Sequence, residues 1–342
     1  MRTFFSKNCE VAKIAMLFVG TVIGAGFATG REILVFFRHQ NIAVVAFAGL
    51  LLGGLCGVFL AFGKIKSKID NKVFKLLNSV MELLLWASAI STFLTMVCGG
   101  ESIIFNCWKI ENIGLWSGIF VAVLSVFDIK FIKNINFILV PLIAIMIIFL
   151  TFFVKPQIPV GVNFGKAIEY CAMNIMLGGY VICDEGRDLS AKQMWSVSAI
   201  VAVVFGIMLV CVYLVAMTFP DADMPIFAIA QSQNVGVVSG VIIYFAIFTT
   251  LVGSGKMIYS RAFKFLPSVS VNIIFLAGLA TLSFGWNFAH TVDILFPLSA
   301  YVGIGYLALV GGEFCYYFAK TLRVEKVKMS LVTQQKSYSA QR

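Results

Sequence analysis

The chain has 342 residues, 60% of them hydrophobic and only 12% charged, with a net charge of +10 and a mean hydropathy of +0.96. A soluble domain carries about twice that share of charge. The composition therefore excludes a soluble catalytic domain and reads as a polytopic membrane protein, with room for about ten spans of some 20 residues and little else. Its cysteines are scattered, mostly inside apolar segments, and none form a C-x-x-C pair, so neither a disulfide framework nor a metal site is indicated.

Arg2, Lys7 and Lys13 ahead of an apolar run resemble a signal peptide, but the run continues past signal length to Arg31 and Glu32 and is read as a retained first span. This first segment, about 11–38, contains Gly20, Gly24, Gly26 and Gly30. Each glycine costs roughly 1 kcal/mol of helix stability against alanine. A break in hydrocarbon survives only where protein, a cavity or a ligand satisfies the freed backbone groups. Two uses fit the stretch: an unwound helix forming half of a binding site, or a glycine face for close packing.

Segment two, about 42–63, ends at a basic loop of Lys64, Lys66 and Lys68. The third, about 73–105, carries Glu82 and Glu101 at opposite ends and a stripe of Ser88, Ser91, Thr92, Thr95 and Gly99 at helical spacing. Segments four and five, about 113–132 and 135–154, are followed by a linker with Pro156 and Pro159. The sixth, about 164–189, is expected to break at Met176–Tyr180, where Gly178 and Gly179 stand side by side. Segments seven to ten cover about 194–219, 235–260, 268–285 and 291–319, and the polar tail after about 324 is expected to be disordered.

Lys and Arg placement orients these spans. With the amino terminus in the cytoplasm, most basic residues of the loops and tail fall inside, while the outside keeps Arg38, Lys109, Lys155 and Lys166. The positive charge is thus a topology signal rather than a nucleic-acid surface. The expectation is a multi-pass protein of the cell (plasma or inner) membrane with both termini cytoplasmic. Five spans per half (about 11–154 and 164–319, within a single domain over 1–323) make the second half enter from the opposite side. The expected fold is therefore all-α, ten helices in a five-plus-five inverted repeat with the first and sixth helices broken. Broken helices at matching positions of two halves are the best sequence pointer to a transporter's midplane site.

In this layout the chain resembles the LeuT-type fold of the amino acid/polyamine/cation (APC) transporter superfamily. Within it, the run from Gly20 to Ile33 resembles the YkvI-like bacterial membrane family. The resemblance implies a substrate site at the two breaks. It would comprise Gly24, Ala25, Gly26, Phe27 and Ala28 on the first, and Leu177, Gly178, Gly179 and Tyr180 on the sixth. Amides around Ala25 to Ala28 would face a carboxylate, and carbonyls before the break and near Leu177 and Gly178 would face an ammonium.

Ala246, Thr249 and Thr250 on segment eight resemble the Ala-x-x-Thr-Ser/Thr pattern of a shared sodium site. The implied ligands are the two hydroxyls and the carbonyls of Ala246, Gly20 and Ile23. Threonines in such helices also bond back to their own backbone, so a structural role stays open. Sodium-coupled neurotransmitter-type members carry an asparagine where this chain has Phe27, so at most one sodium ion is expected, with protons as the alternative. Arg31 and Asp293 match the positions of an external gate, with Glu32 as a competing local partner for Arg31.

Ionisable residues within spans are functional candidates because an unpaired one costs several kcal/mol to bury. Glu169, about two turns before the sixth break, is read as a substrate-amine ligand, a proton carrier or an interfacial residue. Glu82 is expected to pair with a loop lysine. Two functions from different classes fit. One is a secondary active transporter of a small amino acid or related amine, working by alternating access, with sodium or, through Glu169, proton coupling. The other is a sensor that binds a small ligand without moving it. No nucleophile–base pair or phosphate-binding loop is visible, so an enzyme is not expected.

Overall fold

The computed structural model describes residues 2–127, 130–283 and 285–340, with side chains apart from those of 2–8, 25, 130–134, 136, 177 and 324–340. The first segment forms three helices, α1 (Arg2–Val22), α2 (Ala25–Thr29) and α3 (Arg31–Phe37). Segments two to five are α4 (Ile42–Ile65), α5 (Lys72–Trp108), α6 (Ile113–Leu124) and α7 (Lys130–Thr151). The sixth and seventh are α8 (Phe164–Glu185) and α9 (Ala191–Ala216), and the loop after them holds a short α10 (Pro225–Ser232). Segments eight to ten are α11 (Gly236–Phe265), α12 (Val269–Leu282) and α13 (Phe288–Ala340).

Among the described residues, five helices are long and apolar enough to cross a membrane by length and composition, and three more are shorter apolar helices. The outward faces are apolar too: Leu50 is 64% exposed, Ile138 73% and Ile274 70%. That pattern suits contact with lipid rather than water. The protein is a multi-pass membrane protein.

Packing pairs fall into matched sets when each segment is exchanged with the one five further on. α4 packs on α9, α5 on α11, α6 on α12 and α1 on α8, each pair being its own counterpart. Further contacts come in twos: α1 with α7 and α8 with α13, α4 with α8 and α1 with α9, α5 with α13 and α7 with α11. Close approach is bought by small residues. A side chain on Gly53 of α4 would meet Ala202 of α9, and Ser198 Oγ donates to the Gly53 carbonyl at 2.6 Å.

Two expectations from the sequence fail here. The sixth segment is one continuous helix, with no interruption at Met176–Tyr180. Its glycines serve packing: a Cβ on Gly178 would lie 2.8 Å from Phe18 and one on Gly179 2.8 Å from Phe59. The tail after 324 is helical as far as Ala340 rather than disordered. No glycine or proline follows Gly312 before that point, and Lys, Leu, Glu, Met and Gln propagate a helix already nucleated by the tenth span.

Glu101, near the end of α5, accepts from the amides of Asn112 (2.7 Å) and Gly114 (2.8 Å) and so caps the start of α6. Glu101→Ala removes both acceptors at once and is expected to cost about 1–3 kcal/mol. Glu101→Gln, which keeps one carbonyl oxygen, should cost less. Thermal unfolding of the purified protein in detergent checks the order.

Candidate functional site

The interruption of the first segment is a local rerouting of backbone hydrogen bonds. The Gly24 amide reaches back only to the Val22 carbonyl (2.9 Å), and Ala28 N–H donates to the Gly24 carbonyl (2.9 Å). Gly24 itself is extended (φ −100°, ψ −166°) and caps α2 without a side-chain hydrogen bond. A second bend follows at Gly30, whose φ of +84° is left-handed, a conformation that a Cβ would strain. The carbonyl of Ile23, freed by the break, accepts from Thr250 Oγ1 at 3.2 Å.

That bond brings the expected cation ligands together. Thr250 Oγ1 shares its one proton between the Ile23 carbonyl and the Ala246 carbonyl (3.2 Å), and Thr249 Oγ1 donates to the Ala246 carbonyl as well (3.1 Å). Gly20 lines the same cavity as both threonines. Gly20, Ile23, Ala246, Thr249 and Thr250 therefore converge at the break. Each hydroxyl bonds back to its own helix, and Thr250 shares its proton with the Ile23 carbonyl.

Two cavities meet there. The larger, about 220 Å³, runs from Leu17, Gly20 and Thr21 past Thr250 to Glu82, Arg261 and Lys264. The smaller, about 40 Å³, lies on the other side of the break, among Gly24, Glu32, Ser88, Met96, Asn174 and Ser299. Thr21 and Thr250 line both. Beyond the small cavity, Arg31 donates to Asp293 through two nitrogens, with Nε–Oδ1 at 2.9 Å. The gate pair expected from the sequence is thus in contact, on the face opposite the start of α1. Near that starting face Arg261 pairs with Glu82, where a loop lysine was expected.

Several expected substrate residues stand elsewhere. Phe27 is fully buried and packs on Phe205 with centroids 5.2 Å apart, so its ring is a core contact. The Ala28 amide is already bonded to Gly24, which removes it from the carboxylate set. Gly178 and Gly179 pack against Phe18 and Phe59, and Tyr180 lines the larger cavity rather than the small one. Glu169 lines neither cavity and pairs with Lys166 one turn earlier, at 2.7 Å. The side chains of Ala25 and Leu177 lie outside the described residues.

Sequence reasoning gave Glu32 only as a competing partner for Arg31 and assigned it no place in the site. It is 2% exposed, lines the small cavity and accepts from Tyr170 O–H at 3.0 Å. Neighbours on a helix point about 100° apart, which separates Glu32 from the face of Arg31 without saying which of the two turns inward.

No protein-family model matches the chain. It is 25% identical over 340 residues to YkvI, a membrane protein of Bacillus subtilis strain 168, covering 90% of this chain and 96% of that protein. YyaD of the same strain is 23% identical over 315 residues, covering 84% and 91%. Among solved structures, a manganese transporter of Eremococcus coleocola superposes with a TM-score of 0.59 at 10% identity, covering 88% of this chain and 77% of that one. Inward-facing Mhp1 gives 0.55 at 16% identity, covering 90% and 76%. Mhp1 closed on bromovinylhydantoin, described as a nucleobase-cation-symport-1 family transporter, gives 0.52 at 15%, covering 83% and 74%.

The chain is similar to YkvI along most of its length and has the LeuT-type fold. At such identities the superpositions establish the architecture alone. The structural neighbours are transporters rather than enzymes.

Gly26 is the tightest point of the site: a Cβ there would lie 2.6 Å from Phe296 and 2.7 Å from Glu32 Oε2. Gly26→Ala is expected to destabilise by about 1–3 kcal/mol through overpacking. In Gly24→Ala the nearest atom is the flexible Met96 methyl at 3.0 Å, so the cost should be smaller. Comparing the two melting temperatures tests the assignment.

Proposed function

We propose that the protein is a secondary active transporter of the cell membrane that moves a small amino acid or related amine by alternating access. In this reading ten crossings form a five-plus-five inverted repeat, with both termini cytoplasmic. The observation that carries it is the arrangement around the broken first segment. A small central cavity meets a larger one at Thr21 and Thr250, while the Arg31–Asp293 pair closes the opposite side. With the amino terminus inside, the larger cavity is a cytoplasmic vestibule and the conformation faces inward.

Opening the other side requires parting Arg31 and Asp293, whose side chains are 16% and 38% exposed. Such partly solvated pairs are worth on the order of 1 kcal/mol, so the latch is strong enough to bias a conformation and weak enough to release. Coupling to one sodium ion is supported by the convergence of Gly20, Ile23, Ala246, Thr249 and Thr250. Two hydroxyls and three carbonyls form a neutral oxygen set suited to a hard monovalent cation. Glu169, held by Lys166 away from both cavities, is not part of this reading.

Uptake by proteoliposomes of a labelled amino acid and amine panel, with and without a sodium gradient, tests the proposal. Concentrative, sodium-stimulated flux is expected, and tight binding without flux would convert the assignment to a sensor. Thr249→Ala combined with Thr250→Ala should lower sodium affinity at least tenfold, about 1.4 kcal/mol. Thr250→Ser, which keeps an oxygen to satisfy Ile23, should retain most of it. Sodium dependence that survives the double alanine variant rejects the ion site.

A further inference from the structure

We infer that Glu32 supplies, from within the chain, the carboxylate of the central site, and that the site takes a small organic amine lacking a carboxylate of its own. The inference rests on reading the central cavity as the substrate site and narrows the substrate class within it.

Four observations lead there. Glu32 is the ionisable side chain among the described residues lining this cavity, the rest being hydroxyls, one carboxamide, thioethers, apolar groups and glycine. It is 2% exposed, and among the described residues it has no ion-pair partner: the neighbouring Arg31 is committed to Asp293. It accepts instead from a neutral donor, Tyr170 O–H at 3.0 Å. Its carboxylate lies over the broken segment, with Oε2 2.7 Å from where a Cβ on Gly26 would stand and Phe296 filling the adjacent space.

A buried carboxylate without a counter-ion is expensive in a membrane protein, and a cationic ligand beside it removes that cost. A zwitterionic amino acid would bring a second carboxylate into the same small space, and like charges in one site disfavour each other's ionised forms. The other groups complement an ammonium. Ser88, Thr92, Asn174 and Ser299 offer oxygens to its N–H donors. The thioethers of Met96, Met173 and Met176 offer soft apolar contact for a short carbon chain. At about 40 Å³ the cavity admits a ligand of only a few heavy atoms.

The test uses the full-length protein in lipid nanodiscs and three matched pairs, each an amino acid and its decarboxylated amine: glycine and methylamine, alanine and ethylamine, serine and ethanolamine. Calorimetric titration is expected to show at least one amine binding tenfold or more tightly than its amino acid. Glu32→Gln, which keeps an acceptor for Tyr170, should weaken amine binding at least tenfold, and Glu32→Asp should retain the amine preference at reduced affinity. Tighter binding of the amino acid in every pair overturns the inference. So does amine binding unchanged in Glu32→Gln, or no binding by any of the amines. Flux of the bound amine in proteoliposomes is scored separately: binding without flux rejects transport and leaves the ligand class standing.

Discussion

A helix that stops inside a membrane protein must hand its unpaired backbone groups to something, and here that something is Thr250. With no water in the hydrocarbon region, each free carbonyl or amide costs several kcal/mol. The Ile23 carbonyl is taken by the Thr250 hydroxyl from a helix 227 positions away in sequence. The Gly24 and Ala28 amides are satisfied within the rerouted turn. One side-chain oxygen therefore ties α11 to the break and fixes where both cavities meet. In the proposed function the same atom is one of the oxygens that would face a cation.

The two halves share a packing scheme but not a backbone. Matched pairs such as α1 with α7 and α8 with α13 recur across the molecule, yet α1 ends at Val22 while α8 runs unbroken from Phe164 to Glu185. The difference follows from what each glycine touches. Gly24 adopts an extended conformation and Gly30 a left-handed one, which a helix cannot absorb. Gly178 and Gly179 keep helical geometry and leave room for Phe18 and Phe59. Glycine in a membrane helix permits either outcome, and neighbours decide which.

That ambiguity marks the limit of what the sequence discloses. Apolar runs bounded by charges and turn residues located individual helices closely, as with α4 at Ile42–Ile65 and α5 at Lys72–Trp108. The first break, the Thr249–Thr250 pair and the Arg31–Asp293 contact were legible because each rests on unusual residues at specific spacing. The state of α8 was not, since Gly-Gly composition is identical for a break and for a packing face. Glu32 escaped for another reason. Whether a charged residue points into a cavity depends on the rotation of its helix, and a seven-residue helix set off by two bends has a rotation that periodicity cannot supply.

That rotation is what joins the gate to the cavity. α3 spans only Arg31–Phe37, preceded by the left-handed Gly30. On its first turn Arg31 faces outward to Asp293 of α13 and Glu32 faces inward to Tyr170 of α8. Adjacent residues on a rigid helical turn cannot be displaced independently. Any swing of α3 about Gly30 that parts the outer ion pair therefore also shifts the carboxylate in the cavity. Under the proposed function, occupancy of the cavity and closure of the outer face would in this way be two readings of one helix position, without a chain of intermediates between them. The segment's short length makes the coupling stiff, and the left-handed Gly30 at its start is where such a swing would pivot.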